Sequence, residues 1–138
     1  MKTNTIATLY NHYTDKITEK TMYKKTVIDS VNWQRQQKTN VADKGLLSAD
    51  QINVLIPFYS ADFEGKTYIE PKAYRKLSDE EKDKHFTFDN NDYIVKGEVN
   101  ETNIEVVKKS YDNVATIISV LTCDNGSRAI RHWEIGAK

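Results

Sequence analysis

Residues 114–135, VATIISVLTCDNGSRAIRHWEI, decide the fold class of this chain. Val114 to Thr122 alternates as a half-buried strand does, Asp124-Asn125-Gly126-Ser127 turns the chain, and the run from Ala129 to Ile135 returns with Trp133 in it. Asn and Gly tolerate the positive φ that a tight hairpin turn demands, so Asn-Gly between two period-two runs reads as a β-hairpin.

The same alternation extends backwards along the chain. Residues 5–13 are β-rich around Ile6, Leu9, Tyr10 and Tyr13, and residues 22–35 put Tyr23, Val27, Val31 and Trp33 on one parity. Lys25 and Asp29 interrupt that parity, which predicts a long strand only partly over the core, with a bulge. Ile52, Val54, Ile56 and Phe58 alternate without fault as a third strand, and Pro57 near its end costs a ladder donor only where the ladder stops. Tyr93, Val95 and Val99 share one parity of a further strand, with Ile94 on the other.

Between these runs lie the connections. Residues 36–50 are polar, carry Gly45, and read as a long loop between strands two and three; loops of that length without structure of their own tend to be functional. Leu46 and Leu47 in it are apolar residues that need something to touch. Residues 61–76 read as an irregular excursion around Gly65 and Pro71. Ser78-Asp79-Glu80-Glu81 is a capping box that starts a short helix, and Asn103 is placed to cap a second one, with Ile104, Val107 and Tyr111 at helical spacing. The expectation is one mainly β domain over residues 1–138: a small antiparallel β-barrel or strongly curved sheet, with one or two short helices and the long 36–50 loop. Closure removes the exposed edges of so small a sheet.

Composition narrows the function classes. The chain has 138 residues, 20 Lys plus Arg against 20 Asp plus Glu, 38% hydrophobic and 29% charged residues. Zero net charge gives no global source of the counterion release that drives nucleic-acid affinity. One cysteine, Cys123, forms no internal disulfide and suits a reducing compartment. No apolar run has signal-peptide or membrane-span length, so export and membrane insertion are not expected.

Catalytic and ligand signatures are missing. Cys123, His12, His85 and His132 are scattered in sequence, without the local spacing of a structural zinc site, so no metal site is expected. His132 and Glu134 share a strand parity and would form an acid/base pair only if a third group oriented the imidazole. Asp89, Asn91 and Asp92 match a calcium loop in part but lack its Gly and distant Glu, and read as a solvated turn. The five glycines are singletons, which excludes phosphate-cradling loops, so no cofactor is expected. An enzyme is not expected. Tyr23, Lys24, Lys25, Trp33 and Arg35 would suit an OB-like surface that stacks single-stranded bases or holds a small ligand, and this stands as the alternative reading.

Five stretches together carry a family resemblance: Thr8-Leu9-Tyr10-Asn11; Lys25-Thr26-Val27-Ile28 with Trp33 beyond it; Ala49-Asp50-Gln51-Ile52 leading to Ile56-Pro57-Phe58; Asp92-Tyr93-Ile94-Val95-Lys96-Gly97-Glu98; and Tyr111-Asp112-Asn113-Val114 running to His132-Trp133-Glu134. Over nearly the whole chain this text resembles minor structural (minor capsid) proteins of tailed phages and prophages of Gram-positive bacteria. The strand order, with its long second connection, is similar to that of head-closure, or stopper, proteins. That resemblance implies a small barrel forming rings with copies of itself beneath the portal and retaining packaged DNA. Its partners would be portal or adaptor and tail proteins, with incidental contact to DNA, and its location the virion neck after assembly in the host cytoplasm. The family offers no catalytic residues to carry over. On this reading Lys44, Leu46, Leu47, Trp33 and Arg35 are the expected subunit or partner contacts.

Overall fold

The computed structural model describes residues 2–42 and 45–138, with the side chains of residues 36–50 outside the description. Six antiparallel strands close into a ring. They are β1 (Thr5–Thr14), β2 (Thr21–Ala42), β3 (Gly45–Pro57), β6 (Tyr93–Lys96), β7 (Val114–Cys123) and β8 (His132–Ala137). The order around the ring is β1-β2-β3-β8-β7-β6, and β6 pairs back onto β1. A separate two-stranded parallel pair, β4 (Thr67–Tyr68) with β5 (His85–Phe86), lies in the excursion between β3 and β6, with the short helices α1 (Pro71–Arg75) and α2 (Asp79–Lys82). Helix α3 (Ile104–Ser110) joins β6 to β7.

The ring encloses the main core. Ala7 and Leu9 of β1, Ile28, Val31 and Trp33 of β2, Val54 and Ile56 of β3, Ile94, Ile117 and Ile135 pack together inside it. The inward set of β2 differs from the predicted one. Opposite Thr5–Ala7 the register slips, so the buried positions change from Thr26 and Ile28 to Val31 and Trp33, and Tyr23 and Val27 stay outside the core. The expected bulge is therefore present, and it switches parity mid-strand, as an extra residue in one strand must. A second slip between Ile117 and Ser119 in β7 buries Ile117 and leaves Ile118 exposed.

The excursion caps one end of this core. Phe63, Phe86 and Phe88 join the core cluster around Trp133, whose ring centroid lies 4.2 Å from Phe58, 4.8 Å from Tyr68 and 5.2 Å from Phe88. Polar contacts fix the excursion to β2: Glu64 accepts from Val27 N at 2.6 Å, and Lys66 Nζ donates to Lys25 O at 2.8 Å. The stretch around Pro71, expected to be irregular, holds α1 with Pro at its first turn, where the missing N–H costs no hydrogen bond.

Both predicted caps are made. Ser78 Oγ accepts from Glu81 N at 3.3 Å, and Asn103 Oδ1 accepts from Glu105 N at 3.0 Å. Helix α3 lies on the outside of β1 and β6, where Ile104 and Val107 pack with Tyr10, Val95 and Val99. Tyr111, expected on its buried face, follows the end of the helix and is largely exposed. β1 is thus covered on both faces.

The largest departure concerns residues 36–50. Instead of a loop, the backbone continues the β2–β3 ladder from Gln36↔Gln51 out to Ala42↔Gly45. β1 pairs with β2 only as far as Val31, and β8 with β3 only from Ile52 to Pro57. From Gln36 and Gln51 outwards the hairpin is therefore a two-stranded ribbon running on from the ring. At ~3.3 Å per residue its paired part is about 20 Å long. The polar sequence hid it, because backbone pairing by itself leaves no apolar alternation to read.

Candidate functional site

The ribbon places the predicted contact residues as follows. Lys44 lies outside the described residues, as do the side chains of Leu46 and Leu47, although both leucines are on the ribbon's β3 strand opposite Val41 and Asn40. Arg35 is exposed at the base of the ribbon. Trp33, expected on the contact surface, is a core residue at 6% exposure, because the β2 bulge turns its parity inward.

The same turn dismantles the proposed stacking surface. With Trp33 inside, Tyr23 packs against Tyr93 at a centroid distance of 5.7 Å, and Lys24 Nζ pairs with Asp83 at 2.7 Å. The face from Tyr23 to Arg35 therefore lacks the row of free aromatic rings that base stacking requires.

Two polar clusters stand out among the described residues. In the first, the turn 89–92 is only partly solvated: Asn90 and Asn91 are exposed as expected, but Asp92 is 1% exposed and sits against β1. Its carboxylate accepts from Asn11 Nδ2 at 2.8 Å, from His12 N at 2.9 Å and from Asp89 N at 3.1 Å, and it pairs closely with His12 Nδ1. The hydrogen bond to Asp92 raises the His12 pKa above its ordinary value. Burial pushes the Asp92 carboxyl up, against the pull of those donors. The pair ties β1 to the start of β6, and with its groups already partnered among themselves it is structural.

The second cluster forms where β7 ends and β8 begins. Pairing sets Cys123 directly opposite His132, and the pleat puts Glu134, two residues along β8, on the same outer face. One donor atom from each of Cys123, His132 and Glu134 lies within 4.8 Å of the others. His132 Nε2 is 3.1 Å from Glu134 Oε1, and His132 Nδ1 is 2.6 Å from Ile130 O. Desolvation, then the charges of Glu134 and Asp124, push the Cys123 thiol up. The sequence showed His132 and Glu134 together but left Cys123 apart from any histidine. The signal that finds it is the strand register.

The intervening turn is not the tight Asn-Gly hairpin expected. Residues 124–131 loop over through a 3-10 turn at Arg128–Ile130, with Gly126 at φ +86°. A Cβ at Gly126 would stand 2.6 Å from the movable end of the Ile130 side chain, but the positive φ is what calls for glycine there.

A surface groove of about 490 Å³ is lined by Thr21, Met22, Tyr23, Thr102, Asn103, Ile104 and Glu105. Glu105 is its sole carboxylate, so the groove brings no acid and base together.

Fold and site thus define a class: a filled, closed antiparallel β-ring, capped by a helical excursion and extended by a β-ribbon. Within that class the chain belongs to a family of unknown function, DUF6751, which it matches over residues 2–138. No curated protein and no solved structure matches it.

Proposed function

We propose that this protein is a non-enzymatic structural subunit of a tailed-phage head-tail connector. It acts as a head-closure (stopper) barrel that forms a ring with copies of itself in the virion neck and joins portal or adaptor to tail. The observation that carries this reading is the ribbon from Gln36↔Gln51 to Ala42↔Gly45, which no third strand flanks among the described residues. An isolated two-stranded hairpin is marginal in water, and its outer edges present unpaired N–H and C=O groups. A neighbouring subunit that adds a strand or packs on the ribbon satisfies both demands.

The ring's own interior supports the same assignment. It is filled by Leu9, Ile28, Val54, Ile56, Ile94 and Ile135, all at 0% exposure, which leaves no channel among them; on this reading a DNA passage is formed between copies of the barrel. Zero net charge lets copies approach without mutual repulsion.

The test is to excise residues 37–50 and rejoin Gln36 to Gln51 through Asn-Gly, which keeps the hairpin register. The variant should unfold cooperatively like the parent, while particles assembled with it lose their DNA or fail to join tails. Particles that keep both DNA and tails would remove the ribbon from assembly.

A further inference from the structure

We propose that Cys123, His132 and Glu134 form a binding site for a borderline-soft divalent cation, zinc above all, with a fourth coordination position open to water. The site lies on the outer face of the β7–β8 ladder, apart from the ribbon, and does not depend on the role proposed for it.

Three observations converge on this site. The first is placement. Donor atoms on adjacent strands of a closed ladder already lie within 4.8 Å of one another. Zinc bonds of about 2.0–2.3 Å set tetrahedral ligands roughly 3.4–3.6 Å apart, so small side-chain rotations complete the geometry. The His132 to Glu134 separation of 3.1 Å is close to that already.

The second is the hydrogen-bond arithmetic of His132. Both its ring nitrogens face acceptors, Ile130 O at 2.6 Å and Glu134 Oε1 at 3.1 Å. A backbone carbonyl can only accept, so the Ile130 contact sets an N–H on Nδ1 and leaves Nε2, 3.1 Å from the carboxylate, as the ligand atom. A cation between Nε2 and the Glu134 carboxylate is coordinated by both, and the carbonyl becomes the outer partner that holds a ligating imidazole in place.

The third is donor chemistry. Thiolate, imidazole and carboxylate together suit zinc or cobalt, whereas magnesium and calcium take oxygen ligands alone. On binding, the Cys123 S–H bond breaks, the proton passes to solvent and the sulfur–metal bond forms.

The experiment titrates the reduced full-length chain with cobalt(II) and then zinc, alongside Cys123→Ser, His132→Gln and Glu134→Gln. These positions lie on the outer face of the ladder, and matched unfolding midpoints without metal establish that each variant folds. Leu121→Ala, on the same face, is the control. The site predicts a thiolate-to-cobalt charge-transfer absorption saturating at one ion per chain and displaced by zinc. Each ligand variant should weaken binding by at least the about 10–100-fold that loss of an outer-shell partner costs, with the control unchanged. Absence of the thiolate absorption, or variants that bind as the parent does, would overturn the proposal.

Discussion

Replacing Trp133 probes whether the excursion between β3 and β6 is a true cap on the core. Trp133 is 5% exposed and packs against rings on both sides of the chain's longest detour: Phe58 at the end of β3, and Phe63, Tyr68 and Phe88 within the excursion. Trp133→Ala removes the shared partner of all four. Large-to-small changes at such sites cost about 3–5 kcal/mol, a large part of the roughly 5–15 kcal/mol that holds a domain of this size folded. With an m-value of about 2 kcal/mol/M, the urea midpoint falls by about 2 M.

Trp133→Phe behaves differently. The indole Nε1 is buried without a hydrogen-bond partner, a burden of about 1–3 kcal/mol that phenylalanine does not carry. That relief offsets the lost ring volume and holds the net change within about 1 kcal/mol. Urea unfolding followed by Trp33 fluorescence and far-UV circular dichroism measures both variants, because Trp33 is the other tryptophan and is itself in the core. A Trp133→Ala cost below about 1.5 kcal/mol, or a Trp133→Phe cost equal to it, would refute the cap.

Two further outcomes follow from the polar contacts. His12 has its pKa raised by Asp92, so its stabilisation is complete below the unfolded value of about 6.5 and is lost as pH rises through the higher folded value. The raised Asp92 carboxyl acts in the same direction. The urea midpoint should therefore decline from pH 6 into the mildly alkaline range, and His12→Asn, which keeps a neutral donor near the Nδ1 position, should flatten that decline; equal slopes in parent and variant would contradict the pairing. Asn103→Ala removes the side-chain cap of α3 and should cost about 1 kcal/mol by urea unfolding, with the amides of α3 losing hydrogen-exchange protection before those of β1.

How much of this was legible beforehand follows from where each signal resides. Strands facing the core announced themselves: Ile52, Val54 and Ile56 alternate because one face is buried, and Ser78 and Asn103 cap because helix starts need local acceptors. The ribbon did not, since residues 36–50 are polar, carry Gly45 and show no hydrophobic period, and so read as a loop. Tyr23 and Val27 share the parity of Val31 and Trp33 in the sequence yet lie outside the main core, because one extra residue in β2 reverses the alternation between the two pairs. Phe63, Tyr68, Phe86 and Phe88 lack any common period and meet only through the tertiary path of the excursion. Cys123 and His132 are nine positions apart and become neighbours by register, which the turn length at 124–131 decides.

If the barrel assembles with copies of itself at the head-tail junction, as proposed, cryo-electron microscopy of purified particles from a tailed phage that encodes the chain will show it. The expected image is a ring of these barrels between portal or adaptor and tail, with each β2–β3 ribbon lying against a neighbouring subunit. Particles whose neck contains no such ring, or a ring in which every ribbon is bare of contacts, would contradict it.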